Sequence, residues 1–219
     1  CSDRVHLLRY ALDALRPPWV RDLVPGYCTL GVVFDPLQAS FSDACTLVRR
    51  GMARATAAQA SGRTVVLPIC YGGAFGPDLD AVCRTAGLSE REVLARHTAP
   101  TYRCAMLGFL PGFPYLAGLD PQLATPRLAT PRTVIPAGAV GIAGGQTGVY
   151  PMSSPGGWNL IGRTPLQLFD VHRQPPALIA PGDHVRFAAI TPDEFQRTRE
   201  RLSTSYQQPF SARPCACTN

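Results

Sequence analysis

Apolar residues recur at helical spacing from the first turn of the chain: Val5, Leu8, Leu12 and Leu15 fall at intervals that share one helix face. Ser2 or Asp3 can cap this helix, and Pro17-Pro18 stop it. Thr29 to Phe34 is an apolar run closed by Asp35-Pro36, which predicts a buried strand. Ser42 or Asp43 then opens a second helix, with an apolar side through Leu47, Val48, Met52 and Ala55 and an end at Gly62. Thr64 to Cys70 predicts another strand. Helix, strand, helix, strand describes a small α/β layer with helices covering a sheet. Next, Pro77 fits the first turn of a short helix that Gly87 ends. Ser89 and Glu92 form a capping box that starts a helix through Val93 and Leu94 to His97.

The pattern changes after residue 100. Thr101 to Met106 predicts a strand, but Leu107 to Pro136 is punctuated by Gly and Pro and has almost no helical periodicity, so it reads as a long, ordered loop. Short β segments follow at Val140 to Ala143, Gly148 to Tyr150, Trp158 to Ile161, Leu166 to Phe169 and Val185 to Ile190. Gly, Pro or Asn separates them, as in a barrel or sandwich. Thr191, Pro192 and Glu194 start a last helix carrying Phe195 and Leu202, with fraying from about Thr204. The expected class is α+β: an α/β domain over residues 1–98, a β-barrel domain with a C-terminal helix over 99–204, and a flexible tail over 205–219.

Composition sharpens this. The 22 Pro and 20 Gly among 219 residues favour turn-rich β structure over a helical bundle. All 21 basic residues are arginine. Without lysine, this stretch of chain forms no Schiff base, carries no biotin and supplies no P-loop lysine to a nucleotide. The net charge of +6 comes from scattered arginines rather than a stripe interleaved with aromatics, so a carboxylate substrate or an acidic partner fits better than nucleic acid. No apolar run is long enough for a membrane span. The eight cysteines contain no Cys-x-x-Cys pair, and most lie in apolar stretches, so no metal site is expected and the cytoplasm is the expected compartment.

Candidate chemistry concentrates between Leu107 and Phe169. Gly108-Phe109-Leu110-Pro111-Gly112-Phe113-Pro114-Tyr115 sets aromatics among prolines, either as the wall of an apolar pocket or as a plug at a barrel end. Pro126-Arg127 and Pro131-Arg132 each hold a guanidinium on restricted backbone, ready to grip a carboxylate or phosphate or to pair within the domain. Gln146 and Asn159 could pair a lactam through one donor and one acceptor, Arg163 could take a carboxylate, and Trp158 serves as core or lid. Tyr71-Gly72-Gly73 is either an anion cradle or a tight turn. Asp170 and His172, two apart, are a weak dyad candidate. His97, ending a helix just before the pattern changes, is an acid–base candidate or a packing histidine between domains.

These motifs carry a resemblance. Tyr71-Gly72-Gly73 with Gly76-Pro77-Asp78-Leu79, His97, Gly108-Phe109, Pro111 to Leu116, Pro131-Arg132, Pro136-Ala137-Gly138, Gln146-Thr147-Gly148 with Tyr150-Pro151, Pro155 to Thr164 and Pro181-Gly182-Asp183 occur in one order from about Val5 to Ile190. In them the chain resembles the family that holds the B subunit of bacterial 5-oxoprolinase, the KipI kinase inhibitor and the allophanate hydrolase subunit 1 domains. The resemblance implies an N-terminal α/β domain of ferredoxin-like type and a cyclophilin-like β-barrel. It also implies the KipA-like C and LamB/YcsF-like A subunits of 5-oxoprolinase as partners, and ATP-dependent opening of the 5-oxoproline lactam to L-glutamate. The alternatives are a KipI-like inhibitor of sensor histidine kinases and a subunit of a urea- or allophanate-processing enzyme. Family members begin with an extra strand before the first helix, and this sequence starts at the helix, so an unpaired strand edge is expected. The expected catalytic residues are His97, Arg132 and Arg163, and the expected substrate-binding residues are Tyr115, Arg127, Gln146 and Asn159.

Overall fold

The computed structural model describes residues 2–55 and 62–206. The first unit is helix α1 (Ser2–Leu15), strands β1 (Val20–Pro25) and β2 (Leu30–Phe34), and helix α2 (Phe41–Arg54). Leu12, Val20, Leu23 and Leu47 form its core. The two helices meet closely where a Cβ on Gly51 would stand 2.5 Å from Leu12 Cδ2. Strand β1 is not predicted by the sequence pattern. A register shift between Val20 and Asp22 interrupts its alternation, so no period of two shows. Helix α2 is capped by Ser40 rather than Ser42 or Asp43; Asp43 instead completes a capping box by accepting from the Ser40 amide at 2.9 Å. Met52 is exposed rather than part of the buried stripe. The expected continuation of α2 toward Gly62 falls mostly on Thr56–Ser61, outside the described residues.

The second unit is a closed seven-stranded barrel ordered β10-β3-β11-β4-β5-β8-β7. Its staves are β3 (Thr64–Tyr71), β4 (Tyr102–Leu107), β5 (Pro114–Ala117), β7 (Ala139–Ala143), β8 (Gln146–Val149), β10 (Asn159–Arg163) and β11 (His184–Ala189). A separate ribbon pairs β6 (Arg132–Ile135) with β9 (Ser154–Gly156). Strand β3, expected in the first α/β layer, is a barrel stave that runs parallel to β11 from Thr64 opposite His184 to Ile69 opposite Ala189. A boundary at 98/99 therefore cuts through the barrel unit. Helices α3 (Leu79–Ala86) and α4 (Glu90–Thr98) belong with it, and bury Leu79, Val82 and Val93 in the same core as Leu67 and Ile69.

The stretch expected as one long loop contains β5, a 3-10 turn at Pro121–Leu123, and β6. Such short, proline-flanked strands owe their existence to partners distant in sequence. Leu166 to Phe169 is not a strand; only Phe169 bridges, to Ala177, beside a hydrogen bond from the Leu178 amide to the Leu168 carbonyl. Helix α5 (Pro192–Tyr206) starts at a Thr191–Glu194 capping box and buries Phe195 against Phe75, with ring centroids 4.7 Å apart. Leu202 is exposed. Residues 207–219, most of the expected tail, lie outside the described residues. No helix among the described residues is long and apolar enough to cross a membrane.

The two units meet along α1. Asp3 pairs with Arg103 of β4 at 3.3 Å, Arg9 donates to the Pro181 carbonyl at 3.3 Å, and the ring of Tyr27, between β1 and β2, stands edge-on to Tyr115 of β5 at 6.4 Å. His6 is fully buried in this joint. Burial, then the charges of Arg103 and Arg9, pull its pKa down to about 4.

Candidate functional site

His97 projects from the last turn of α4 into the barrel core, where none of its surface is exposed. Its Nδ1 lies 2.8 Å from the Tyr71 hydroxyl and its Nε2 3.1 Å from Thr147 Oγ1. Thr147 spends its own proton on the Gly141 carbonyl at 3.0 Å, so this network assigns the histidine proton to Nε2, and Nδ1 accepts from Tyr71. The ring stacks on Phe187 at 4.5 Å. Burial lowers its pKa to about 3, although it sits at a helix C-terminus, where the dipole favours the charged form. This is the geometry of a satisfied core histidine, and it gives no support to an acid–base role.

Three other expected site residues also bond inward. Arg132 Nη2 reaches Asp78 Oδ1 at 2.7 Å, and Asp78 Oδ2 accepts from the Leu160 amide at 2.7 Å, which ties β6 to the start of α3 and to β10. Asn159 Nδ2 donates to the carbonyls of Pro126 at 2.7 Å and Ile142 at 3.2 Å. Arg163 Nε donates to the Ala137 carbonyl at 2.8 Å, and burial with the nearby Arg199 charge lowers its pKa. Gln146 opens β8 beside the Tyr27 hydroxyl, at the joint between the units. The Tyr71-Gly72-Gly73 segment is a tight turn: the Gly72 amide donates to Ile161, and the Phe75 and Gly76 amides return to Gly72. Asp170 accepts from the His172 backbone amide at 2.9 Å, a local turn rather than a dyad.

Tyr115 and Arg127 are brought together, at an open pocket of about 330 Å³. Its floor is aromatic. Phe113 lies 4.9 Å from Tyr115, 5.1 Å from Tyr150 and 5.5 Å from Trp158, between ring centroids, and Phe109 stands edge-on at 5.6 Å. The elements explain the convergence: Phe113 precedes β5, Tyr150 follows β8 and Trp158 precedes β10. The Phe109–Phe113 loop closes through hydrogen bonds from the Phe113 amide to Leu110 and from the Gly108 amide to Phe113. Gly112 has φ +78°, and a Cβ there would press within 2.9 Å of Phe169. Phe109 adopts φ +67° without being glycine and is 60% exposed at the rim, a strained placement for a large ring.

Arg127 is exposed, and its guanidinium makes no hydrogen bond or ion pair with the described residues. The segment that carries it is pinned at both sides by Asn159 on the Pro126 carbonyl and by the Leu128 amide on the Gly157 carbonyl at 2.8 Å. Pocket burial raises the Tyr150 pKa to about 12, while the charge of Arg127 acts the other way. No acidic side chain lines the pocket. Tyr150, Phe109 and Phe113 were not among the expected site residues, although the aromatic run at 109–115 was the signal that could have found two of them. Among the described residues no group of His, Cys, Asp and Glu is placed to hold a metal ion.

Residues 1–179 match the family described as carboxyltransferase domain, subdomain C and D. Curated relatives named as the B subunit of 5-oxoprolinase are 46% identical in Escherichia coli, over 85% of each chain, and 42% identical in Bacillus subtilis, over 90% of this chain and 86% of the relative. This chain belongs to the 5-oxoprolinase B-subunit family. A solved structure of a conserved uncharacterized protein from Pyrococcus horikoshii is 48% identical and covers 88% of this chain and 89% of its own, with a TM-score of 0.60. In this member of the 5-oxoprolinase B-subunit family, the aromatic pocket and Arg127 lie on the barrel unit, while His97 and the Arg132–Asp78 pair brace its interior.

Proposed function

We propose that this chain is a non-autonomous subunit of a 5-oxoprolinase-type enzyme, which opens the cyclic amide of 5-oxo-L-proline to L-glutamate. The observation that carries this is the 46% identity to the B subunit of 5-oxoprolinase over 85% of both chains. The pocket's composition agrees with a divided task. It offers aromatic rings, two of them phenols, and one guanidinium, but no serine, cysteine, carboxylate or histidine.

A lactam carbonyl is a poor electrophile, so hydrolysis gains from ATP. Transfer of the γ-phosphoryl group to the lactam oxygen makes the ring carbon electrophilic. Water then adds at that carbon, the C–N bond opens with the nitrogen leaving as the amine, and a second water hydrolyses the resulting γ-glutamyl phosphate, giving glutamate, ADP and phosphate. This chain holds no lysine, and the amides traced in its glycine turn donate within the barrel, so the ATP phosphates fall to the partners, the KipA-like C and LamB/YcsF-like A subunits. A reducing cytoplasm suits the five free cysteines among the described residues.

The test is co-purification of this chain with both partner subunits, followed by measurement of glutamate formed from 5-oxo-L-proline with and without ATP. ATP-dependent turnover only in the three-subunit mixture is expected. Full turnover by the isolated chain, or none by the assembled mixture, overturns this division of labour.

A further inference from the structure

The aromatic pocket has properties that specify a ligand class. At about 330 Å³ it sits at the small end of the ~300–1,000 Å³ common for ligand pockets, large enough for one small ring. Its lining is dominated by ring edges and faces from Phe113, Tyr115, Tyr150 and Trp158, which favour a flat, compact, largely apolar body. Arg127 is its single ionic group, with no acidic residue beside it and no partner for its guanidinium among the described residues. A free guanidinium at the mouth of an apolar pocket is matched by a carboxylate, which it can grip with two parallel hydrogen bonds. The paired Asn159 bonds, to Pro126 and Ile142, hold the backbone from which Arg127 projects, so the cation is displayed on a fixed support.

We propose that this pocket binds a small cyclic carboxylate, with the ring against the Phe113–Tyr150–Trp158 floor and the carboxylate on Arg127. The inference rests on the reading above for its ligand, 5-oxo-L-proline, a five-membered lactam bearing one carboxylate. Arg127 then selects for the carboxylate and leaves the lactam bond toward the open mouth, where another polypeptide of the complex can reach it. Arg132, one Pro-Arg step later, does not line this pocket and instead pairs with Asp78 through Nη2.

Two measurements test the pocket separately from the enzyme. The first is calorimetric titration of the isolated chain with 5-oxo-L-proline and with 2-pyrrolidinone, the same lactam without its carboxylate. The expected result is binding at least about tenfold weaker for 2-pyrrolidinone, with R127Q reducing 5-oxo-L-proline binding by a similar factor and leaving 2-pyrrolidinone unchanged. The second is steady-state kinetics of the three-subunit mixture, where R127Q is expected to raise KM about tenfold with kcat within about twofold, and R127K to recover part of that rise. Equal binding of the two lactams, or R127Q acting on neither binding nor KM, overturns the proposal. An inactive wild-type mixture with intact, Arg127-dependent binding overturns the enzymatic reading and leaves the pocket. An active mixture with no dependence on Arg127 does the reverse.

Discussion

Two Thr-Pro-Arg triplets lie five positions apart, and the fold sends their arginines in opposite directions. Arg132 turns inward to Asp78, whose other oxygen holds the Leu160 amide. Arg127 stands at the aromatic pocket with its guanidinium free of partners among the described residues. Local backbone chemistry is the same at both sites, so the difference comes from what lies across from them. For Arg132 it is a buried carboxylate at the start of α3; for Arg127 it is a ring of aromatic side chains. A motif displays a functional group, and the distant partner decides whether that group builds the protein or faces a ligand.

The strongest way to break this contrast is Asp78→Ala. It strands the Arg132 charge and the Leu160 N–H together, and urea denaturation should report a loss of about 3–5 kcal/mol. A loss below about 1 kcal/mol, with weakened 5-oxo-L-proline binding instead, would return Arg132 to the ligand side. Acid provides the next probe. His97 has a lower pKa folded than unfolded, so below about pH 6.5 the unfolded chain binds protons that the native core refuses, and stability falls with pH. Between pH 6.5 and 5 this one residue should account for about 2 kcal/mol, and His6 adds in the same direction down to its pKa of about 4. Stability curves of wild type and His97→Gln, compared across that window, should differ in slope; identical slopes would mean that the core histidine takes up its proton as readily folded as unfolded.

Asn159→Ala sharpens the comparison further. It leaves the Pro126 and Ile142 carbonyls without their shared donor, and should cost about 1–2 kcal/mol while speeding amide hydrogen exchange at Leu128. Rapid exchange elsewhere in the barrel but not there would contradict its role as the support of Arg127. Arg127→Gln is expected to have the smallest effect on folding, within about 0.5 kcal/mol by thermal or urea unfolding, because nothing within the fold depends on its charge. A large destabilisation would make the two arginines alike after all.

The helices were legible because their signals are local. Ser89–Glu92 and Thr191–Glu194 form the capping boxes that their spacing predicts, with the carboxylates 2.6–3.0 Å from the cap hydroxyls. The strands were less so. β5 begins at a proline and takes its place only by pairing with β4 and β8, and β6 exists by pairing with β9. The candidate site divides along the same line. An aromatic, proline-braced run announced a pocket wall, and Tyr115 lies there. The destinations of His97, Arg132 and Asn159 depended on Tyr71, Asp78 and the Pro126 carbonyl, contacts that span 26, 54 and 33 positions and leave no trace in local spacing.

The parallel pairing of β3 with β11 sets the order in which the molecule can be completed. A nascent chain emerging from the ribosome carries Thr64–Tyr71 long before its neighbour Ala189 has been synthesised. Until then that early strand keeps an open hydrogen-bonding edge, a vulnerable interval during which a chaperone or prompt release of the finished polypeptide would limit aggregation.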